Sequence, residues 1–165
     1  MADELFSLDN VARVLRDYAA WVADRYRSNL AGSGRNASGA LSRSVRAFVA
    51  SGERWYEVRM NLEEYWKYVE RGTRPHWPPV DAIRRWIEVK PVIPRPDSRG
   101  RIPTPKQLAH LIARKIAREG TEGIPDLGDA EERANARFLP MLEAALAEDA
   151  GTYVSRMFRD NNTKG

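Results

Sequence analysis

Clusters of glycine and proline interrupt this chain at three places, and those interruptions limit what it can fold into. Residues 31–39 contain three glycines and no large apolar side chain, residues 72–79 contain three prolines, and residues 91–103 contain four prolines. Because glycine favours turns and proline removes a backbone donor, we expect an extended loop at each place. The segments between these loops must then form separate elements.

The segments on either side of the first loop have different apolar periods. In residues 9–30 apolar side chains recur three and four positions apart, which predicts an amphipathic helix. Residues 41–50 and 54–60 alternate between apolar and polar side chains around the turn Ser51-Gly52, which predicts a β-hairpin. Two strands alone are marginally stable in water, so we expect this hairpin to need a helix on one face, a third strand or a neighbouring subunit.

Helical periods return in the second half of the chain. Asn61 and Glu64 have the spacing of a capping box, Gly72 is a natural helix stop, and Thr104–Gln107 is a strong helix start. Pro140 predicts a break in the last helical region, because proline is not accommodated inside a helix without a kink. The predicted helices are residues 62–71, 79–90, 104–119, 129–139 and 140–158.

These elements predict an α+β fold: an N-terminal helix packed on a small antiparallel β-hairpin or sheet, followed by several short helices and a long C-terminal helix. A chain of 165 residues favours a single domain, which we place at residues 1–160, with a frayed tail at 161–165. The acidic N-terminus lacks a signal-peptide pattern, and no apolar run approaches the roughly 20 residues of a membrane span. We therefore expect a soluble protein, made in a cytoplasm, without a membrane partner.

The net charge of +4 conceals an uneven distribution. Residues 31–120 carry 18 Lys/Arg against 9 Asp/Glu, a net of +9, and residues 121–165 carry 5 against 9, a net of −4. A basic segment suits an acidic surface or a nucleic-acid backbone, but it equally fits an arginine-rich face in contact with solvent. Segregated charge also suits head-to-tail packing of identical subunits.

Residues that could carry catalysis are scarce. The chain has no cysteine, which excludes disulfides, thiolate zinc sites and cysteine catalysis. His76 lies in a Pro/Trp loop without a nearby acid, and His110 lies between two apolar residues of a predicted helix. Paired carboxylates such as Glu131-Glu132 are explained by favourable charge near a helix N-terminus. We therefore predict no enzymatic activity, no cofactor, no metal and no small-molecule substrate.

Aromatic residues are concentrated in one stretch of the chain. Tyr65 and Trp66 are adjacent, and Tyr68 points away from Trp66 on a helix, so at least one aromatic side chain should be exposed or lie at an interface. Exposed aromatics beside arginines are typical of subunit contacts, and they can also stack on single-stranded nucleic acid. The seven residues of this cluster are Trp55, Tyr56, Tyr65, Trp66, Tyr68, Trp77 and Trp86.

Several short motifs follow one another in order along residues 8–158. After the amphipathic helix come Gly34–Leu41, the hairpin, Tyr65–Thr73, a loop ending in Pro-Pro, a short helix, Ile112–Thr121 and a Phe-Leu-Pro helix. This order resembles that of the tail-component and neck proteins (tail completion or head-to-tail joining) of long-tailed double-stranded-DNA bacteriophages. Residues 91–103 are longer than this resemblance leads us to expect, which suggests a docking arm.

The resemblance implies a structural virion protein that forms a homo-oligomeric ring at the head–tail junction and joins tail to head. Its implied partners are further copies of itself and neighbouring neck, head-closure and tail proteins. Double-stranded DNA would pass through such a ring without sequence readout.

We expect the three loops to become ordered on contact with neighbouring rings, which would make assembly sequential. An alternative is a basic nucleic-acid-binding protein that uses residues 31–120. A small nuclease or peptidoglycan hydrolase is a further alternative, which the isolated histidines disfavour. The candidate assembly-interface residues are Arg35, Asn36, Tyr68, Arg74, His76, Trp77, Arg95, Arg99 and Arg101.

Overall fold

The computed structural model describes residues 7–33, 38–52, 55–90 and 92–162. The fold is α+β, as predicted: a long N-terminal helix, a small antiparallel β-hairpin, several short helices and a long C-terminal helix. In chain order the elements are α1 (Asp9–Gly32), α2 (Ala40–Ser44), β1 (Arg46–Gly52), β2 (Trp55–Asn61), α3 (Trp66–Arg71), β3 (Gly72–Thr73), α4 (Val80–Val89), α5 (Pro105–Glu119), β4 (Thr121–Glu122) and α6 (Asp126–Asn162).

The chain divides into two compact units. The first contains the described residues of Met1–Ser28, Val45–Asn61 and Leu127–Gly165, and so holds most of α1, the hairpin and α6. The second contains those of Asn29–Ser44 and Leu62–Asp126, and so holds the short helices. The single domain that we placed over most of the chain stays a prediction.

The hairpin of the first unit has the predicted alternation. β1 and β2 pair antiparallel, with Arg46 opposite Asn61 at the open end of the ladder. Tyr56, Val58 and Met60 are half-buried, and the residues between them on β2 are exposed. One face of the hairpin is therefore partly covered and the other is not.

The predicted first strand begins too early. Residues 41–44 belong to the short helix α2, in which Leu41 is buried and the Ser44 hydroxyl donates to the Leu41 carbonyl oxygen at 2.8 Å. The same hydroxyl accepts from the Glu63 backbone N–H at 3.1 Å. Leu41 and Val45 are four residues apart, a spacing that fits one helical turn as well as an alternating strand, and Arg43 already interrupted the alternation.

The break that we predicted at Pro140 is wrong, because α6 continues through it as one helix of 37 residues. Packing against α1 holds the helix just before the proline: the Phe138 ring lies 5.7 Å from the Tyr18 ring and 6.2 Å from the Trp21 ring, both edge-on. Asp149 contacts the start of α1 beyond the proline. Tertiary contacts on both sides therefore outweigh the hydrogen bond that proline removes.

The far end of α6 also differs from the prediction. We expected Leu146, Met157 and Phe158 to point inward, but all three are exposed, and Phe158 has 73% of its surface accessible. The end of this helix therefore presents apolar side chains to solvent.

A buried carboxylate from α6 caps the N-terminus of α1. Asp149, only 4% exposed, accepts from the backbone N–H groups of Asn10 at 3.2 Å and Val11 at 3.0 Å, and from the Asn10 side chain at 2.8 Å. These N–H groups have no partner within the helix, and the helix dipole favours a negative charge beside them. Asp9, which we expected to cap α1, is instead its first residue.

Replacing this carboxylate should destabilise the first unit. We expect Asp149→Ala to lower the free energy of unfolding by about 2 kcal/mol, because two buried N–H groups lose their acceptor. Urea unfolding followed by circular dichroism measures the change. The neighbouring exposed substitution Glu148→Ala is the control and should leave stability within about 0.5 kcal/mol of the parent. Equal stability of the two variants would contradict the capping role.

The second unit has its core between α4 and α5. Ile83 and Ile87 of α4 pack with Ala109 and Ala113 of α5, whose small side chains let the two helices approach closely. As predicted, Thr104 starts α5: its side chain and that of Gln107 form a reciprocal capping box. Trp86, which we expected to point inward, is 40% exposed.

The start predicted for α3 is wrong. The helix begins at Trp66, the residue at its N-cap is Tyr65, and no side chain caps it. The Asn61 and Glu64 spacing therefore does not form a capping box. Gly72 ends this helix as predicted, with a positive φ of 70°.

Candidate assembly surface

Two short segments of the second unit pair as a ladder that the sequence analysis did not predict. Gly72 lies opposite Glu122, and Thr73 lies opposite Thr121, in an antiparallel register. One threonine hydroxyl donates to the other across the pair, with the two Oγ1 atoms 3.0 Å apart. We call β3 and β4 together the Gly-Thr ladder. It joins the C-terminal ends of α3 and α5, two regions that we had assigned to separate loops.

Glycine is required at the ends of both helices because the two backbones almost touch there. Gly72 has φ +70°, and a Cβ on it would collide with the Thr121 carbonyl oxygen. Gly120 has φ +74°, and a Cβ on it would collide with the Thr73 carbonyl oxygen. Both residues therefore lack space for a side chain and adopt a backbone conformation that other residues rarely adopt.

The chain leaves the Gly-Thr ladder as a proline-rich segment, residues 74–79, which is exposed except at Pro78 and which we call the proline rim. Tyr68, Arg74 and His76 line a shallow pocket of about 550 Å³ with the ladder. The His76 ring Nδ1 donates to the Arg74 carbonyl oxygen at 2.9 Å, which fixes a tight local bend. Trp77 follows with 60% of its surface exposed. The predicted exposure of aromatic side chains in this region is confirmed.

An apolar groove lies beside the proline rim. Its volume is about 630 Å³, and Pro78, Ile83, Trp86, Ile112 and Ile116 supply much of its lining. The walls are the start of α4, the second half of α5 and the ladder. This groove can accept apolar side chains.

A third concave surface, the arginine cleft, is bounded by the loop before α5 and by α5 itself. It has a volume of about 690 Å³. Asp97 organises the loop by accepting from the backbone N–H groups of Arg101 and Arg99, both at 2.9 Å, and these bonds hold the pKa of its carboxyl below the usual value. Its lining residues are Arg95, Asp97, Arg101, Ile102, Pro103, Gln107, His110, Leu111 and Arg114.

The predicted interface residues thus fall into separate groups. Arg35 and Asn36 lie outside the described residues. Tyr68, Arg74 and His76 are brought together at the proline rim, and Arg95 and Arg101 are brought together in the arginine cleft. Trp77, which also belongs to the proline rim, and Arg99 are exposed but line neither the pocket beside the rim nor the arginine cleft.

Sequence reasoning missed the α5 side of the arginine cleft. His110, Leu111 and Arg114 were known as helix positions, but their place in the cleft depends on how residues 92–103 pass over α5. The spacing of Leu111 and Arg114 on one exposed helical face was the available signal.

Large apolar side chains are distributed unusually between core and surface. Alanine is prominent in the core, and the largest fully buried side chains are Tyr26, Leu30, Val22 and Val45. Many larger apolar residues are exposed instead. They are Phe48, Trp55, Tyr65, Tyr68, Trp77, Trp86, Val89, Ile93, Ile102, Leu111, Leu139, Met141, Leu146, Val154, Met157 and Phe158.

Within the described ranges, no group of three or more His, Asp or Glu side chains is placed to hold a metal ion. None of the helices described has the length and apolar character needed to cross a bilayer. Comparisons with family models, with curated proteins and with solved structures found no match to this chain.

The Gly-Thr ladder gives a direct test of the site's geometry. We expect Gly120→Ala to lower the free energy of unfolding by about 2–3 kcal/mol, because the new Cβ meets backbone in a strained conformation. Gly151→Ala is the matched control, since nothing lies within 4 Å of a Cβ there. Within α6 that change should leave stability unchanged or raise it by up to about 1 kcal/mol. Urea unfolding of both variants makes the comparison, and equal effects would contradict the ladder.

Proposed function

We propose that this chain is a structural subunit of a tailed double-stranded-DNA phage particle, in which it forms a ring at the head–tail junction and joins tail to head. We propose no catalytic role for it. The observation that carries the proposal is the exposure of so many large apolar side chains in both units. Monomeric soluble proteins seldom expose extended apolar surface unless it binds something.

The proline rim supports an assembly role. It presents Arg74 and Trp77 on a segment whose entry is fixed by the Gly-Thr ladder, and Tyr68 of α3 lies beside it. Aromatic and arginine side chains are the residues most enriched at the centres of protein interfaces. A rigidly anchored, exposed rim loses little conformational freedom on binding, which favours affinity.

The hairpin supports the same role. In the part of the chain that the structure describes, β1 and β2 have no third strand beside them. Their outer edges keep unpaired backbone groups that a strand from a neighbouring subunit can bond. Exposed Phe48 and Trp55 give this hairpin an apolar contact as well.

The Gly-Thr ladder offers a structural reason for two of the sequence motifs whose order resembles that of phage neck proteins. Residues 72–73 and 121–122 are widely separated in sequence yet pair with each other, and Gly120 stands directly before the second segment. Their joint presence in the chain is therefore explained by one structural requirement. This supports treating the motifs as parts of one design.

A second candidate is binding to a nucleic-acid backbone. Among the described residues, neither Arg95 nor Arg114 of the arginine cleft has an ion-pair partner within 4.0 Å. Such arginines can contact phosphates, and the affinity would then fall steeply with salt. Measured binding to duplex and single-stranded DNA between about 50 and 200 mM salt tests this alternative. Steep, micromolar binding favours it, and undetectable binding at the lower salt excludes it.

Location in the particle tests the proposed function. Tailed particles assembled from the genome that encodes this chain are purified, labelled with antibody-bound gold against the chain, and imaged by electron microscopy. We expect gold at the head–tail junction. Absence of the chain from purified particles, as judged by mass spectrometry, would contradict the proposal.

Loss of the rim's aromatic side chain should weaken assembly without unfolding the protein. We expect Trp77→Ser to reduce incorporation into particles at least about tenfold, because an exposed aromatic anchor is removed. Arg16→Ser, on the exposed face of α1, is the control and should be incorporated normally. Circular dichroism shows whether both variants are folded. Normal incorporation of the Trp77 variant would exclude the rim as a contact.

A further inference from the structure

The second half of α6 carries an exposed apolar stripe. Leu139, Leu146, Val154 and Met157 are between 43% and 53% exposed. With Glu143 they follow one another at spacings of three, four and eight residues, which places them along one side of a helix. We call these five residues the α6 stripe. The side that packs in the first unit is different, because it carries Phe138, Ala145 and Asp149.

The charge on this side of α6 is acidic. Glu143 lies within the stripe, and Glu132 precedes Leu139 by seven residues on the same side. The described arginines of α6, at positions 133, 137, 156 and 159, lie about 100° or more around the helix from the centre of the stripe. A partner for the stripe should therefore be apolar and basic.

The arginine cleft has that character. Ile102 and Leu111 expose 66% and 50% of their surfaces, and Arg95 and Arg114 stand beside them without ion pairs among the described residues. Leu111 and Arg114 are three residues apart on α5, the same spacing as Glu143 and Leu146 on α6. Because the order of apolar and charged residue is reversed between them, two antiparallel helices can place Leu146 opposite Leu111 and Glu143 opposite Arg114.

We propose that the α6 stripe of one copy docks in the arginine cleft of a second copy. The proposal rests on the proposed function, from which it takes self-association, and it adds the two surfaces that meet. Charge complementarity selects the occupant: the chain itself supplies an acidic apolar helix face for a basic apolar cleft. Pairing Glu143 with Arg114 is the contact that the spacing favours.

Such a contact is head-to-tail, because the stripe and the cleft are different surfaces. Each copy then retains a free stripe or a free cleft for the next copy. A contact of this kind closes into a ring or extends as a filament, whereas a self-complementary contact stops at a dimer. The segregation of basic residues to 31–120 and of acidic residues to 121–165 has a direct physical use in this arrangement.

Cysteine crosslinking tests which surfaces meet, since the chain has no cysteine of its own. A tagged Leu146→Cys chain is mixed with an untagged Leu111→Cys chain, at high concentration and also in particles that contain both, and the mixture is oxidised. We expect disulfide-linked pairs of the two chains well above the yield for the control, in which Ala20→Cys on the exposed side of α1 replaces Leu146→Cys. A yield equal to the control in both settings overturns the proposal.

Charge reversal on the same crosslinking pair makes the test specific. Adding Glu143→Arg to the Leu146→Cys chain should lower the crosslink yield at least about tenfold, and adding Arg114→Glu to its partner should restore it. A yield unaffected by both reversals overturns the Glu143–Arg114 contact. The proposed function fails separately, if the chain is absent from tailed particles, whatever the yield.

Discussion

The structure of the second unit depends on the Gly-Thr ladder, where two backbone segments lie so close together that neither Gly72 nor Gly120 has room for a side chain. Gly72 ends α3 and Gly120 ends α5, each at a positive φ, and each faces a carbonyl oxygen of the opposite strand. The proline rim starts at the end of this ladder, and α4 follows the rim. The two glycines therefore determine where the proline rim begins, and with it where the exposed Arg74 and Trp77 lie.

The proposed assembly role depends on a core rich in alanine and a surface rich in larger apolar residues. Small side chains such as Ala109 and Ala113 allow helices to pack closely, but they bury little apolar area. Side chains such as Trp77 and Phe158, which would bury more, remain in water. Association that covers them would add the stabilisation that the core does not supply. This is the physical basis for proposing a structural subunit.

Sequence patterns within a few residues predicted where some helices begin and end. Features that depend on contacts between residues distant in sequence were not predicted. The cap at Thr104 and the stop at Gly120 involve neighbouring residues, so both were predictable. The continuity of α6 through Pro140 and the cap by Asp149 depend on α1, more than 100 residues away along the chain. At the candidate site, prolines and aromatics predicted the exposed rim. The Gly-Thr ladder and the arginine cleft could not be predicted. Each is formed by two separate segments of the chain, and no local pattern links those segments.

Hydroxyl-radical footprinting of the free chain and of purified particles tests most directly whether the exposed apolar residues are contact surfaces. Solvent exposure controls the rate at which aromatic, leucine and methionine side chains are oxidised. The account predicts strong labelling of Tyr68, Trp77, Leu111 and Leu139 in the free chain and protection of these residues in particles. Buried Tyr26 should be weakly labelled in both samples. Equal labelling of the exposed residues in the free chain and in particles would contradict the account.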